Sequence, residues 1–220
     1  MSLLQLRGGY ITRDIGEYFE TIAEDFDAYY DKPKNMTDAL INSWLRRPGL
    51  LKRLKITLAI SDPKEGMRIL EIGCGSGKYI VECAKRGADV WGIDVAPEMI
   101  KLAKQFCNKS KIKAHLSVGD ATKELQSGFD VCVALGVFEY FKDPRPILNN
   151  MIAATNHNGK VIFSLPKKYA FQTPLREAML YYRNVDCYYY TKEKIRMLVN
   201  NGNHRIYDYG PGYVVEYYKN

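Results

Sequence analysis

Apolar positions along the 220-residue chain recur with two different periods, and the change falls near residue 62. From Asp14 onward, Ile15, Tyr18, Phe19, Ile22, Phe26, Tyr29 and Tyr30 follow the i, i+3, i+4, i+7 spacing of an amphipathic helix, with Asp14 as its N-cap. A second helical stretch is predicted over 37–46. Pro48 breaks or restarts it, and Leu50, Leu51, Leu54 and Leu58 continue a helical stripe toward Ser61. The first sixty residues therefore read as all-helical.

A turn cluster, Asp62-Pro63-Lys64-Glu65-Gly66, ends this pattern, and short β-rich runs then alternate with helical ones. Strands are predicted from Met67, from Ala88, near Ile112 to Val118, from Phe129 and from Gly159, with helices from Lys78, Pro97 and about Pro144 between them. About 25 residues after Pro166, including Thr173-Pro174, Arg176 and the run Tyr188-Tyr189-Tyr190, interrupt the alternation. A helix from about Thr191 to Asn201 follows, and HRIYDY and YVVEYY around Gly210-Pro211-Gly212 close the chain as a β-hairpin. Alternating strands and helices imply right-handed crossovers. The expected fold is α/β: a doubly wound, mostly parallel seven-stranded sheet with helices on both faces and its last strand antiparallel in the C-terminal hairpin. Residues 1–62 form an expected N-terminal helical cap, and 63–220 one domain with a lid insertion at about 167–190.

Composition narrows the class. A chain of this length buries roughly 70% of its unfolded surface and needs neither disulfide nor metal to hold a core. No apolar run approaches the ~18 residues of a membrane span, and the N-terminus lacks the basic and long apolar regions of an export signal. Cys74, Cys83, Cys107, Cys132 and Cys187 are dispersed, odd in number and never in C-x-x-C; with three isolated histidines, they argue for a cytoplasmic protein with reduced thiols and no metal site. No membrane partner is therefore expected, and the oligomeric state is not read from the sequence. The net charge of +7 is uneven: 1–60 contribute +1, 61–165 contribute +2 and 166–220 contribute +4. Eleven of the 17 tyrosines also lie from Tyr169 onward. No long block of like charge marks a nucleic-acid arm.

The most specific string is ILEIGCGSGKY, residues 69–79, in which a buried strand delivers Glu71 and then Gly73-x-Gly75-x-Gly77 into a helix. Glycines there let the backbone turn tightly and approach a ligand, with the amides of the helix start facing it. Lys78 and Ile80 break the G-x-G-x-x-G dinucleotide fingerprint, and Tyr79 after Lys78 breaks the Walker pattern. Asp94 ends the next strand, 21 residues after Gly73, where a carboxylate can accept from both hydroxyls of a ribose. Asp120 ends the third strand and ALGVFEYF the fourth. Each acid alone could be an ordinary helix N-cap after a strand.

Taken together, residues 64–165 resemble the class I S-adenosylmethionine-dependent methyltransferases of the Rossmann-like, small-molecule type. The resemblance implies that Gly73, Gly75 and Gly77 pass under the methionine and ribose of S-adenosylmethionine, near Glu71, and that Asp94 holds the ribose. It places Val95 and Met99 on adenine, Asp120 and the amide of Ala121 on its polar edge, and the backbone of Leu135 and Gly136 toward the ammonium or sulfonium. Tyr29 and Tyr30 are candidates to close on the methionine end, and Arg46 or Arg53 to meet its carboxylate. The product is then S-adenosylhomocysteine.

The acceptor is less defined. The [DN]-P-P-[YF] string of base-nitrogen methylation is absent, since Ala134-Leu135-Gly136-Val137 stands in its place, and no Pro-Cys nucleophile is present. These absences disfavour a nucleic-acid base without excluding other atoms of a nucleic acid, and the expected acceptor is an oxygen or nitrogen of a small molecule. GVFEYFKDP resembles a string of small-molecule methyltransferases in which a histidine often takes the place of Tyr140, making Glu139 and Tyr140 the candidate catalytic side chains. Tyr188, Tyr190 and Arg176 are the candidate substrate lid, although an extended Tyr188–Tyr190 run can equally cover the sheet. An RNA or protein methyltransferase, and a non-catalytic cofactor-binding relative, remain the alternatives.

Overall fold

The computed structural model describes residues 5–7, 10–12, 14–26, 47–200 and 202–219. Its centre is a seven-stranded sheet built from β3 (Arg68–Ile72), β4 (Asp89–Asp94), β5 (His115–Val118), β6 (Phe129–Ala134), β7 (Thr155–Pro166), β8 (His204–Asp208) and β9 (Gly212–Tyr218), in the order β5-β4-β3-β6-β7-β9-β8. All neighbouring pairs are parallel except those made by β9, which runs antiparallel to both β7 and β8. The order reverses between β3 and β6, so a crevice opens at their carboxyl ends, where open α/β sheets bind ligands.

Alternation of side chains divides the core between two faces. Ile69, Val131, Val133 and Ile162 point one way, to α2 (Arg47–Ser61), α3 (Lys78–Ala84) and α4 (Pro97–Lys109). Leu70, Ile72, Cys132 and Phe163 point the other way, to α5 (Arg145–Ala154) and the α7 helix (Lys192–Leu198). Strands buried on both faces explain the near-continuous apolar runs of the sequence.

The N-terminal region departs from the all-helical expectation. A short antiparallel pair, β1 (Gln5–Arg7) with β2 (Tyr10–Thr12), precedes α1 (Ile15–Phe26). Three-residue strands are too short to display a period of two. Asp14 caps α1 as expected, its Oδ1 accepting from the amides of Gly16 at 2.8 Å and Glu17 at 3.3 Å. Pro48 lies in the first turn of α2, where its missing N–H costs nothing. The helix expected over 37–46, together with Tyr29, Tyr30 and Arg46, lies outside the described residues. The second departure is α6 (Thr173–Tyr182), a helix inside the insertion where the sequence pattern predicts none. Among the described residues no helix is long and apolar enough to cross a membrane, and no cluster of His, Cys, Asp and Glu could hold a metal ion.

Candidate functional site

The chain turns out of β3 on three glycines with positive φ: 63° at Gly73, 50° at Gly75 and 79° at Gly77. At Gly73 the need for glycine is double, because a Cβ would lie 2.4 Å from Cγ2 of Val137, in the loop after β6. The two loops bordering the crevice thus meet at Gly73. Gly77 forms the N-cap of α3 and packs on α4, a Cβ there lying 3.3 Å from that of Ala103.

Asp94, at the end of β4, is buried and ties this loop to the next. Its Oδ2 accepts from the amide of Gly75 at 2.9 Å and its Oδ1 from that of Ala96 at 3.0 Å. Burial pushes its carboxyl above the ordinary range, while the backbone hydrogen bonds oppose that rise. Beside it, Val95 is exposed despite being apolar, and α1 runs against it, a Cβ on Gly16 lying 3.6 Å from both Val95 methyl groups. Glu20 of α1 accepts from the amide of Glu98 at 3.3 Å. Met99, expected on adenine, is buried with Ala96 against Phe19 of α1. Asp120 is exposed, and its Oδ1 accepts from the amide and hydroxyl of Thr122 at 2.9 and 2.7 Å, which hold its carboxyl below the ordinary range. Ala121 is half-buried next to it.

Glu71 is buried, and its Oε2 has no hydrogen-bond partner among the described residues. Desolvation raises its carboxyl well above the ordinary range, the charge of Arg53 opposing and that of Asp94 adding to the rise. Arg53, from α2, reaches under the end of β6. Its Nη1 donates to Ser164 Oγ at 3.4 Å, and the same hydroxyl accepts from the amide of Gly136 at 2.9 Å. Gly136 has φ 81°, and a Cβ on it would meet the Arg53 guanidinium at 3.1 Å and Glu139 Oε1 at 3.7 Å. Leu135 is half-buried and packs on the α2 side of the sheet.

Glu139 is buried in the turn Phe138–Tyr140, 37 residues from Arg176 of α6, yet its Oε1 accepts from Arg176 Nη2 at 3.0 Å. Its Oε2 is buried without a partner among the described residues. Tyr140 is half-buried, 5.4 Å edge-on from Phe19, and desolvation raises its phenol. Phe19, Tyr140, Tyr18, Leu180 and Val185 form one cluster, closed by a 3.1 Å hydrogen bond from Arg183 to the Tyr18 hydroxyl. Hence α1 touches both Val95 and the insertion, and spans the crevice.

The tyrosine run is extended beside β7. The amide of Tyr188 donates to the Glu139 carbonyl at 2.7 Å, and that of Tyr190 to the Pro166 carbonyl at 2.9 Å. Tyr190 is buried in the main core and Tyr188 packs against it, so these two side chains cover the sheet. Arg176 is the member of the expected lid that reaches the site. Ser164 and the roof made by Tyr18 and Phe19 carry only weak signals of function in the sequence. A lone hydroxyl near the end of the apolar strand GKVIFSLP, and two adjacent aromatics on an amphipathic helix, were the available signals.

With this geometry in view, the relatives are informative. A sequence model described as a methyltransferase domain matches residues 43–208. A ubiquinone biosynthesis O-methyltransferase of Xanthomonas axonopodis pv. citri is 31% identical over 137 residues, covering 57% of each chain. A magnesium-protoporphyrin O-methyltransferase of Rhodobacter capsulatus is 31% identical over 115 residues, 51% of this chain and 50% of that one. The chain thus spans about half the length of such relatives. Magnesium protoporphyrin IX methyltransferase from Synechocystis PCC 6803, crystallised with S-adenosylhomocysteine, has the same fold: TM-score 0.75 at 16% identity, covering 94% of this chain and 98% of that one. The family match over most of the sequence, together with a glycine turn, a buried strand-end acid and a seven-stranded sheet of the same fold, shows that the chain belongs to the methyltransferase-domain family.

Proposed function

We propose that the protein is an S-adenosylmethionine-dependent methyltransferase acting on an oxygen or nitrogen of a small-molecule acceptor. The observation that carries this reading is the convergence at one crevice of the Gly73 turn, buried Asp94, Asp120 and Gly136. The residues fit the cofactor. Each Asp94 oxygen accepts one backbone hydrogen bond and keeps a lone pair for a ribose hydroxyl. Exposed Val95 offers an apolar shelf for adenine, and Asp120 with the Ala121 amide offers its polar edge. Glu71, Arg53 and the backbone of Leu135 and Gly136 surround the place of the charged methionine end, where Tyr30 and Arg46 are further candidates.

The cofactor supplies a methyl group on a sulfonium that already carries its own leaving group. The chain's work is alignment, exclusion of water and, for some acceptors, removal of a proton. Glu139, steadied by Arg176, orients the acceptor by accepting its hydrogen bond at Oε2. Tyr140, a phenol that is protonated at neutral pH in any case and is pushed further up by burial, lines the site as a hydrogen-bonding group rather than a base. Residues 1–62 as cap and the insertion at about 167–190 as lid roof the site, supported by the α1 contacts to Val95 and Leu180. The relatives are O-methyltransferases, which favours oxygen as the accepting atom. Five free cysteines, four of them buried, fit a reducing cytoplasm.

Transfer of tritiated methyl from S-adenosylmethionine to a cell extract, fractionated by size and treated with RNase or protease, tests the reading. Label in the small-molecule fraction is the expected result. Label lost with RNase or protease moves the acceptor to RNA or protein, and label in no fraction favours a non-catalytic relative.

A further inference from the structure

The α6 helix is apolar on two sides. Thr173, Arg176 and Leu180 turn inward, Arg176 reaching Glu139 and Leu180 joining the cluster with Tyr18. On the opposite side Leu175 is 53% exposed and Tyr182 85%, and Phe171, two residues before the helix begins, is 91% exposed. Leu175 and Tyr182, two turns apart, share one side of the helix, and Phe171 precedes it in the turn that leads in. Tyr169 and Tyr181 flank these residues, both exposed. Scattered exposed apolar residues are ordinary, but an outer helix face is normally polar, and a continuous aromatic stripe marks a contact surface. Glu177 is the single charge on the outer side of this helix.

The sequence around the stripe is rich in basic residues, although Arg176 turns inward to Glu139 and Lys167 pairs with Asp208. Between residues 167 and 200 there are seven Lys and Arg against three Asp and Glu, an excess of +4. Lys168 Nζ stands 5.2 Å over the Tyr169 ring, and its amide donates to the Tyr190 carbonyl at 2.9 Å. Lys194 Nζ stands 5.9 Å over the Tyr190 ring, which brings the α7 start to the same place. Lysine is depleted at protein–protein interfaces, whereas exposed Tyr and Phe bordered by Lys are the composition of a segment lying at a bilayer surface.

We propose that Tyr169–Tyr182 docks the protein on an anionic lipid bilayer, its aromatic side chains at headgroup depth and Lys168 and Lys194 over the lipid charges. This replaces the expectation of no membrane partner; it is a surface contact and needs no spanning helix. Because the inner side of the same helix holds Glu139, docking sets the acceptor site beside the lipid phase and suits an acceptor that partitions into it. That last step rests on the methyltransferase reading; the docking does not.

Flotation of the full chain with phosphatidylcholine vesicles, with and without phosphatidylglycerol, tests the proposal. The wild type should float with the anionic vesicles, poorly with the neutral ones, and less as salt is raised. Phe171→Ser/Tyr182→Ser should bind at least about tenfold more weakly and Lys168→Glu about fivefold or more. Leu51→Ser, an exposed leucine on α2, should bind as the wild type does. Circular dichroism should show all variants folded, since each replaced side chain lies at the surface. No flotation of the wild type, or equal flotation of the double variant, overturns the proposal. So does a wild-type dimer in sedimentation that the double variant converts to monomer without any vesicle binding, since a second copy then covers the stripe. Titration with S-adenosylmethionine keeps the two readings apart: a protein that floats without taking the cofactor retains docking and loses the proposed function.

Discussion

The two halves of the crevice are built from different materials. On the β3–β4 side the shape is backbone: three glycines in left-handed conformation and two amides closing on Asp94, all within a few residues of a strand end. On the β6–β7 side it is side chain: Arg176 meets Glu139 across 37 residues of sequence and Arg53 meets Ser164 across 111. The first construction suits a ligand part that never varies, because backbone geometry is insensitive to most substitutions. The second can be re-cut by changing single side chains, as a variable acceptor requires.

Breaking the backbone-built half should cost most. Gly73→Ala adds a left-handed penalty and a collision with Val137, together about 2–5 kcal/mol in urea unfolding. Gly210→Ala has φ 101° but nothing within 4 Å of its new Cβ, so it should cost about 1–2 kcal/mol. Equal losses would mean that the meeting of the two loops at Gly73 contributes nothing.

In the side-chain half, Arg176→Met should cost about 2–3 kcal/mol in thermal or urea unfolding. It strands Glu139 in the interior, moderated because the Arg176 side chain is 32% exposed. Arg176→Met/Glu139→Gln should recover much of that loss, since no buried charge is then left without a partner. A double variant no better than the single would show that the pair is not coupled.

Glu71 sits between the halves and should give the smallest, pH-dependent effect. Its folded carboxyl is raised by burial, so the folded state holds a proton that the unfolded state has released above its ordinary value of 4.5. Its contribution is therefore most favourable below that value and declines as pH rises through the folded one, at up to about 1.4 kcal/mol per pH unit within that window. Glu71→Gln should flatten this decline in urea unfolding repeated across pH. An unchanged slope would count against a buried, protonatable Glu71.

The same contrast decides what was legible in the sequence. Strand alternation, the Gly73 turn and Asp94 are local features, and the structure places them where the pattern does. The pairing of Glu139 with Arg176 was not legible, although both residues stood out individually, because no short-range rule links them. Helix α6 escaped because a helix apolar on two sides shows no single stripe, though Thr173-Pro174 is an ordinary start signal. Packing is a further thing that residue type and strand-end position leave unread: Met99 is buried with Ala96 against Phe19, and Tyr190 is buried in the main core.

The central claim is that Asp94 and the turn it braces hold S-adenosylmethionine. Isothermal titration of S-adenosylmethionine into the wild type and Asp94→Ala tests it most directly. If Asp94 holds the ribose as proposed, the substitution removes two charged hydrogen bonds to it along with the anchor that Asp94 provides for the Gly75 and Ala96 amides, so affinity should fall at least about 100-fold. A wild type that takes up no cofactor, or an Asp94→Ala protein that binds it equally well, would contradict the account.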